Sequence, residues 1–170
     1  MRARRDRSEA TGKYVKYISD SKRGWDHCPY WEYLESVKGV MPVHLFEFAS
    51  NPENHDLTSP NSLHDSWLEY WRIAEIAKED RHSGRRSQIE ACFLGPMHDR
   101  YIYLRYQDVE KHSITADYDR AVQHGDLLVH ELAIVREGLY SHELVFAEGM
   151  FFLVHFADFE HRIELIAKQP

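Results

Sequence analysis

The sequence predicts an α+β protein that is mainly β: an antiparallel meander, as a curved sheet, sandwich or half-barrel, with one N-terminal amphipathic helix. Three observations carry this. From Gln88 onward, apolar and polar residues alternate with period two between turn-forming clusters. Residues 29–38 instead repeat at three and four, with both ends marked. There is neither strand–helix–strand alternation, which a parallel sheet needs, nor an internal repeat of about 20–50 residues. The 170 residues suit one domain, read here as 25–170, behind a basic arm at 1–24.

The helix comes first. Pro29 suits the first helical position, and Tyr30, Leu34, Val37 and Met41 form one apolar stripe. Gly39 supplies a cap, and Pro42 forbids continuation. Val43 to Ala49 alternates, with His44, Phe46 and Phe48 on one side, and reads as a strand. Asn51 to Ser62 is a polar, proline-containing surface loop. Leu63 to Lys78 satisfies both periods and is open between helix and strand, and Lys78 to Arg86 reads as a polar hairpin loop. Gln88 to Phe93 and Tyr101 to Val109 form a hairpin about the turn Gly95–Asp99, with Ile102, Leu104 and Tyr106 inward and Tyr101, Tyr103 and Arg105 outward. After a polar stretch, Lys111 to Gln123, strands follow at Asp126–Val135, His142–Ala147 and Met150–Phe156. Gly138 and Gly149 stand at their connections, and Ile163 to Ile166 adds a last strand.

Charge is divided unevenly. Residues 1–24 hold eight basic and three acidic side chains, a net of +5, whereas the remainder carries −12 of the overall −7. Such an arm can reach nucleic acid, although an acidic body repels phosphate and a basic terminus is more commonly just solvated. No apolar run is long enough for a membrane span, and no hydrophobic stretch follows the first basic residues as in a signal peptide. Two cysteines, Cys28 and Cys92, make no disulfide framework and fit a reduced, cytoplasmic setting.

Twelve histidines are the compositional oddity. Imidazole ligates metals and moves protons near neutrality, yet the spacings of zinc peptidases, serine hydrolases and phosphate-binding loops are absent. Strand parity points to one grouping. His130 shares a face with Leu128, Leu132 and Ile134, His142 with Leu144 and Phe146, and His155 with Phe151 and Leu153. If those faces meet, three imidazoles can hold a transition metal such as zinc with an open fourth position, as in a hydrolytic or ligand-binding site. The bland reading is a set of half-buried histidines, each bonded to a carbonyl or carboxylate.

Leu63-His64-Asp65-Ser66 contains base, orienter and nucleophile types, but contiguous residues suit a cap or turn better than a triad. Trp67 and Trp71 with His64 and Asp65 form a candidate protein-binding patch, because Trp is enriched at hot spots.

Leu63-His-Asp-Ser66, Arg100-Tyr-Ile-Tyr-Leu-Arg-Tyr-Gln-Asp-Val109 and the run from Ser141 to Phe159 resemble small uncharacterised bacterial proteins over residues 63–165. Some of those proteins resemble immunity proteins that neutralise a partner toxin. The resemblance implies a mostly antiparallel β fold and brings no catalytic residues. The functional expectation is a non-enzymatic module, without cofactor, that binds another protein or itself. The alternative is a small-ligand or metal-binding β protein built on His130, His142 and His155.

Overall fold

The computed structural model describes residues 15–21, 24–77, 84–115 and 125–167. Two short strands, β1 (Ser19–Ser21) and β2 (Gly24–Asp26), precede helices α1 (Cys28–Val37) and α2 (Val43–Ser50) and a 3-10 turn at Pro52–Asn54. Eight strands follow: β3 (Trp67–Ala77), β4 (Arg85–Leu94), β5 (Arg100–Gln107), β6 (Lys111–Thr115), β7 (Leu127–Arg136), β8 (Leu139–Phe146), β9 (Phe151–Phe156) and β10 (Asp158–Leu165). All pairings are antiparallel. Beyond the β1–β2 hairpin they form sheet I, in the order β10-β5-β4-β3, and sheet II, in the order β6-β9-β8-β7. Among the described residues no helix is long and apolar enough to cross a membrane.

Each sheet is a three-strand meander completed by a strand from the other side. β5 leads to β6 through residues 108–110, where Val109 N–H donates to Ser87 O and Glu110 N–H to His155 O. β9 passes to β10 through Ala157 alone, whose N–H donates to Gln107 O. These two crossings stitch the sheets together at one end.

The inner faces follow the alternation of the sequence. Ile89, Ala91 and Phe93 from β4 and Ile102, Leu104 and Tyr106 from β5 are fully buried. They meet sheet II through aromatic contacts: Phe93 with Phe146 at 6.5 Å, Trp71 with Phe152 at 4.6 Å and Tyr106 with Phe156 at 5.1 Å between centroids. Burying each such ring contributes about 1.5–3 kcal/mol. Gly138 and Gly149 take φ of 70° and 81°, a region in which other residues are strained, and so close the two hairpins of sheet II.

Three expectations are corrected. Val43 to Ala49 is helical, not a strand. Pro42 N-caps α2, its carbonyl accepting from Phe46 N–H, and the buried positions Leu45, Phe48 and Ala49 are spaced as a helix face. In so short an apolar run either period fits. Part of the polar stretch 111–123 is a strand, β6, paired with β9 from Lys111↔His155 to Thr115↔Phe151. An edge strand with mostly exposed side chains carries no alternation to read. The helix expected at 29–38 is present as α1, with Tyr30 and Leu34 buried, but the β1–β2 hairpin precedes it and α2 follows it. The described part of the 63–78 stretch, 63–77, resolves into a turn and then β3. Positions 1–14, 78–83 and 116–124 lie outside the described residues, and with them most of the basic arm, most of the 78–86 loop and the end of the polar stretch.

Sheet II would leave β7 as an open edge, and side chains close it. Tyr30 Oη accepts from Leu132 N–H at 2.8 Å and donates to Leu132 O at 3.0 Å. Tyr33 Oη accepts from Ile134 N–H at 2.7 Å. Leu127 exchanges backbone bonds with the turn, donating to Ser66 O and accepting from Asp65 N–H. Helix α1 and the 63–66 turn thus replace a missing neighbour strand, which blunts edge-to-edge association. Tyr30→Phe leaves a buried backbone donor and acceptor without a partner, and is expected to cost about 1–3 kcal/mol in urea unfolding. An unchanged midpoint would show that the seal contributes nothing.

Candidate functional site

The inner faces of β5, β7 and β8 bring three polar side chains into the core, Tyr106, His130 and His142, none more than 1% exposed. They form one chain. Tyr106 Oη lies 2.8 Å from His142 Nδ1, His142 Nε2 lies 3.0 Å from His130 Nδ1, and His130 Nε2 lies 3.1 Å from Asn54 O. The polarity of the whole chain follows from its last link. A carbonyl only accepts, so His130 Nε2 carries the proton and donates. In neutral His130 the other nitrogen, Nδ1, then accepts from His142 Nε2–H, and His142 Nδ1 accepts from the Tyr106 hydroxyl. Burial enforces the neutral forms. It holds His130 well below the usual histidine range, with His55 and His142 adding repulsion, and lowers His142 to about 3. It also raises the Tyr106 phenol well above its ordinary value.

Further imidazoles pack around this chain. His55 stacks on His130 at 4.2 Å and 10°, and its Nε2 donates to Ala49 O at 3.1 Å. Burial lowers His55 to about 4. His27 meets His55 edge-on at 5.5 Å, and Phe48 touches His130, His142 and His161. His161 is lowered to about 4 by burial, and its Nε2 has no hydrogen-bond partner among the described residues. Beside it opens a cavity of about 450 Å³ lined by His44, Glu47, Phe48, Asn51, Asn54, Phe159, Glu160 and His161.

The structure therefore brings His130 and His142 together and leaves His155 apart. β9 turns Phe152, Val154 and Phe156 inward, and His155, paired with Ser141, lies on the opposite face of sheet II from His142. Both nitrogens of His130 and of His142 are engaged, and among the described residues no three His, Cys, Asp or Glu side chains are arranged to hold a metal ion. Parity found Tyr106 inward, and a buried phenol always needs a partner, which was the available signal. Asn54 and His55 sit in a loop that reads as surface, so sequence carried no hint of them.

Of the other candidates, Trp71 packs inward on Phe152 with its indole N–H unpartnered among the described residues. Trp67 is 48% exposed at the start of β3, tilted on His98 at 4.4 Å and donating from Nε1 to Asp126 at 2.7 Å. His64 Nδ1 lies 3.0 Å from Asp65 Oδ1 without hydrogen-bond alignment, and Ser66 Oγ donates to Leu63 O. Ser66 and Asp65 thus serve the turn that pairs with β7.

The two sheets differ on their outer faces. On sheet II, Val129, Glu131, Ser141, Val145 and Phe151 are buried. Residues 15–18 dock there, with Val15 and Ile18 buried and the Glu131 carboxylate accepting from Lys16, Tyr17 and Ile18 N–H at 3.2, 2.8 and 3.0 Å. On sheet I the outward residues are mostly half-buried or exposed and combine tyrosine with paired charge. Tyr70 donates to Glu90, Arg105 bridges Glu90 and Glu160, Arg162 lies over Tyr103 at 4.1 Å and Arg72 over Tyr70 at 5.3 Å.

The imidazole cluster makes stability fall in acid. His55, His142 and His161 bind a proton less readily folded, at about 4, 3 and 4, than at the ordinary 6.5. Their contribution is full above pH 6.5 and is lost as pH falls toward the folded values, at up to about 1.4 kcal/mol per pH unit each. Glu143 has the opposite sign. Burial and the Glu131 charge push it from 4.5 up to about 7, so its contribution is present at low pH and lost as pH rises to about 7. Three imidazoles outweigh one carboxylate, and urea unfolding is expected to weaken by up to about 3 kcal/mol per pH unit between pH 6.5 and 4.5. Stability that stays level or rises over that interval would contradict this. Compared with protein-family models, curated proteins and solved structures, the chain matches none.

Proposed function

We propose that this protein is a non-enzymatic protein-binding module whose contact surface is the outer face of sheet I. One observation carries the reading: the outer face of sheet II is buried under the 15–18 segment, whereas among the described residues that of sheet I is open and bears Tyr70, Tyr101, Tyr103, Arg72, Arg105 and Arg162. Tyrosine and arginine dominate protein-binding hot spots, since they offer large contact area with a polar tip. Here they are held in place beforehand. Arg162 sits on Tyr103 and pairs with Glu164, and Arg105 is fixed between two carboxylates, so little side-chain freedom remains to be lost on binding. The face is a rigid strand surface and not a cleft, which suits a second macromolecule better than a small substrate. The charge of −12 over residues 25–170 favours a basic partner, whose approach it accelerates. The resemblance of residues 63–165 to small bacterial proteins, some of them immunity-protein-like, makes a toxin the partner proposed.

A photo-crosslinking residue placed at Tyr103 is expected to capture one discrete protein from the native host, in a salt-sensitive manner. The same residue at Leu57, which is exposed on the 51–62 loop, is expected to capture none. Equal products from both positions, or none from Tyr103, would refute the assignment of this face.

A further inference from the structure

On the outer face of sheet II, Glu131 stands directly opposite Glu143 across the β7–β8 pair. Like charges in that position repel. Glu131 is 2% exposed and holds three consecutive backbone N–H groups of residues 16–18, so the carboxylate is the hook on which this segment hangs. Val15 and Ile18 of the same segment are buried. Glu143, half-buried alongside, makes no hydrogen bond among the described residues. Among the described residues the other groups facing this pair are few. The segment itself contributes Lys16, whose ammonium lies over the Tyr17 ring at 4.7 Å. Helix α1 contributes Tyr30 and Tyr33, both raised above their ordinary values by burial and tied to β7. β9 places Leu153 opposite Glu143, and His155, two pairs further along and opposite Ser141, is lowered by burial and by Lys111. Among the described residues Lys16 is thus the one cation acting on Glu143 there, and desolvation and Glu131 outweigh it.

We infer that residues 15–18 form a strap whose docking is controlled by Glu143: protonated, Glu143 lets the strap lie closed on Glu131, and ionised, it drives the strap open. The linkage gives the direction. Glu143 is half-buried beside the docked strap and faces the Glu131 carboxylate, both of which favour its neutral form, so ionisation favours release. Glu143 is pushed up to about 7, so closure weakens as pH rises from the ordinary carboxylate value of 4.5 through neutrality. The strap joins the body to the basic residues Arg2, Arg4, Arg5, Arg7 and Lys13.

Hydrogen exchange on the full chain, corrected for intrinsic rates, tests this at pH 6 and pH 8.5. The protection of the Tyr17 and Ile18 amides is expected to fall about tenfold between these values, while that of the Leu132 and Ile134 amides stays constant. In Glu143→Gln the strap is expected to remain protected at pH 8.5 to within about twofold of its value at pH 6. Glu131→Gln, with a weaker acceptor, should leave the strap open at both values. Wild-type protection that does not fall, or a fall of the same size in Glu143→Gln, would overturn the inference. Should a variant fail to fold, the wild-type comparison still decides.

Discussion

A single hydrogen-bonded chain, from the Tyr106 hydroxyl through His142 and His130 to the Asn54 carbonyl, joins sheet I, sheet II and the loop after α2. It lies where an all-apolar core would be simpler. Buried polar groups are tolerable only when every one is satisfied, and a half-satisfied network is worse than none. Here the satisfaction is directional: one carbonyl at the end dictates the tautomer of two rings and the donor role of a phenol. Each of the three segments is consequently held in register with the others by more than apolar contact. Removing any member leaves a buried donor or acceptor exposed to nothing, at a cost of about 1–3 kcal/mol.

The rest of the molecule is arranged around that fixed point. Asn54 is in place because Asn54 Nδ2 donates to Phe48 O, which ties the 3-10 turn to α2, while the stacking of His55 on His130 covers the pair. Helix α1 lies along β7 and closes its edge with two tyrosine hydroxyls, and residues 15–18 close the outer face of sheet II. Residues 15–18 and α1 therefore act as a cover for sheet II. Among the described residues sheet I receives no such cover, and its outward tyrosines and arginines are fastened to neighbouring side chains instead. The proposed binding at sheet I rests on this asymmetry, and in that proposal the histidines serve the architecture.

How much of this was legible in the sequence depends on the range of the interaction. Local periodicity found α1, the β4–β5 hairpin with its inward Ile102, Leu104 and Tyr106, and the strands that became β7, β8 and β9. It also placed His130 and His142 on apolar faces of neighbouring strands, and they do meet. It failed where short segments satisfy two periods, as at Val43–Ala49, and where an exposed edge strand shows none, as at Lys111–Thr115. The grouping of His155 with the other two failed for a different reason. Parity within a strand says which residues share a face, but not which face turns inward, and Phe152, Val154 and Phe156 won the core. Asn54, His55 and the Glu131 hook act over separations of 76, 75 and about 114 residues, which no local pattern encodes.

The polarity of the buried chain is the claim on which this account rests, and imidazole nitrogen NMR measures it directly. At pH 7, His130 and His142 are both expected to be neutral, each with its proton on Nε2 and a bare Nδ1. A proton on Nδ1 of either ring, or a charged imidazolium at either position, would contradict it.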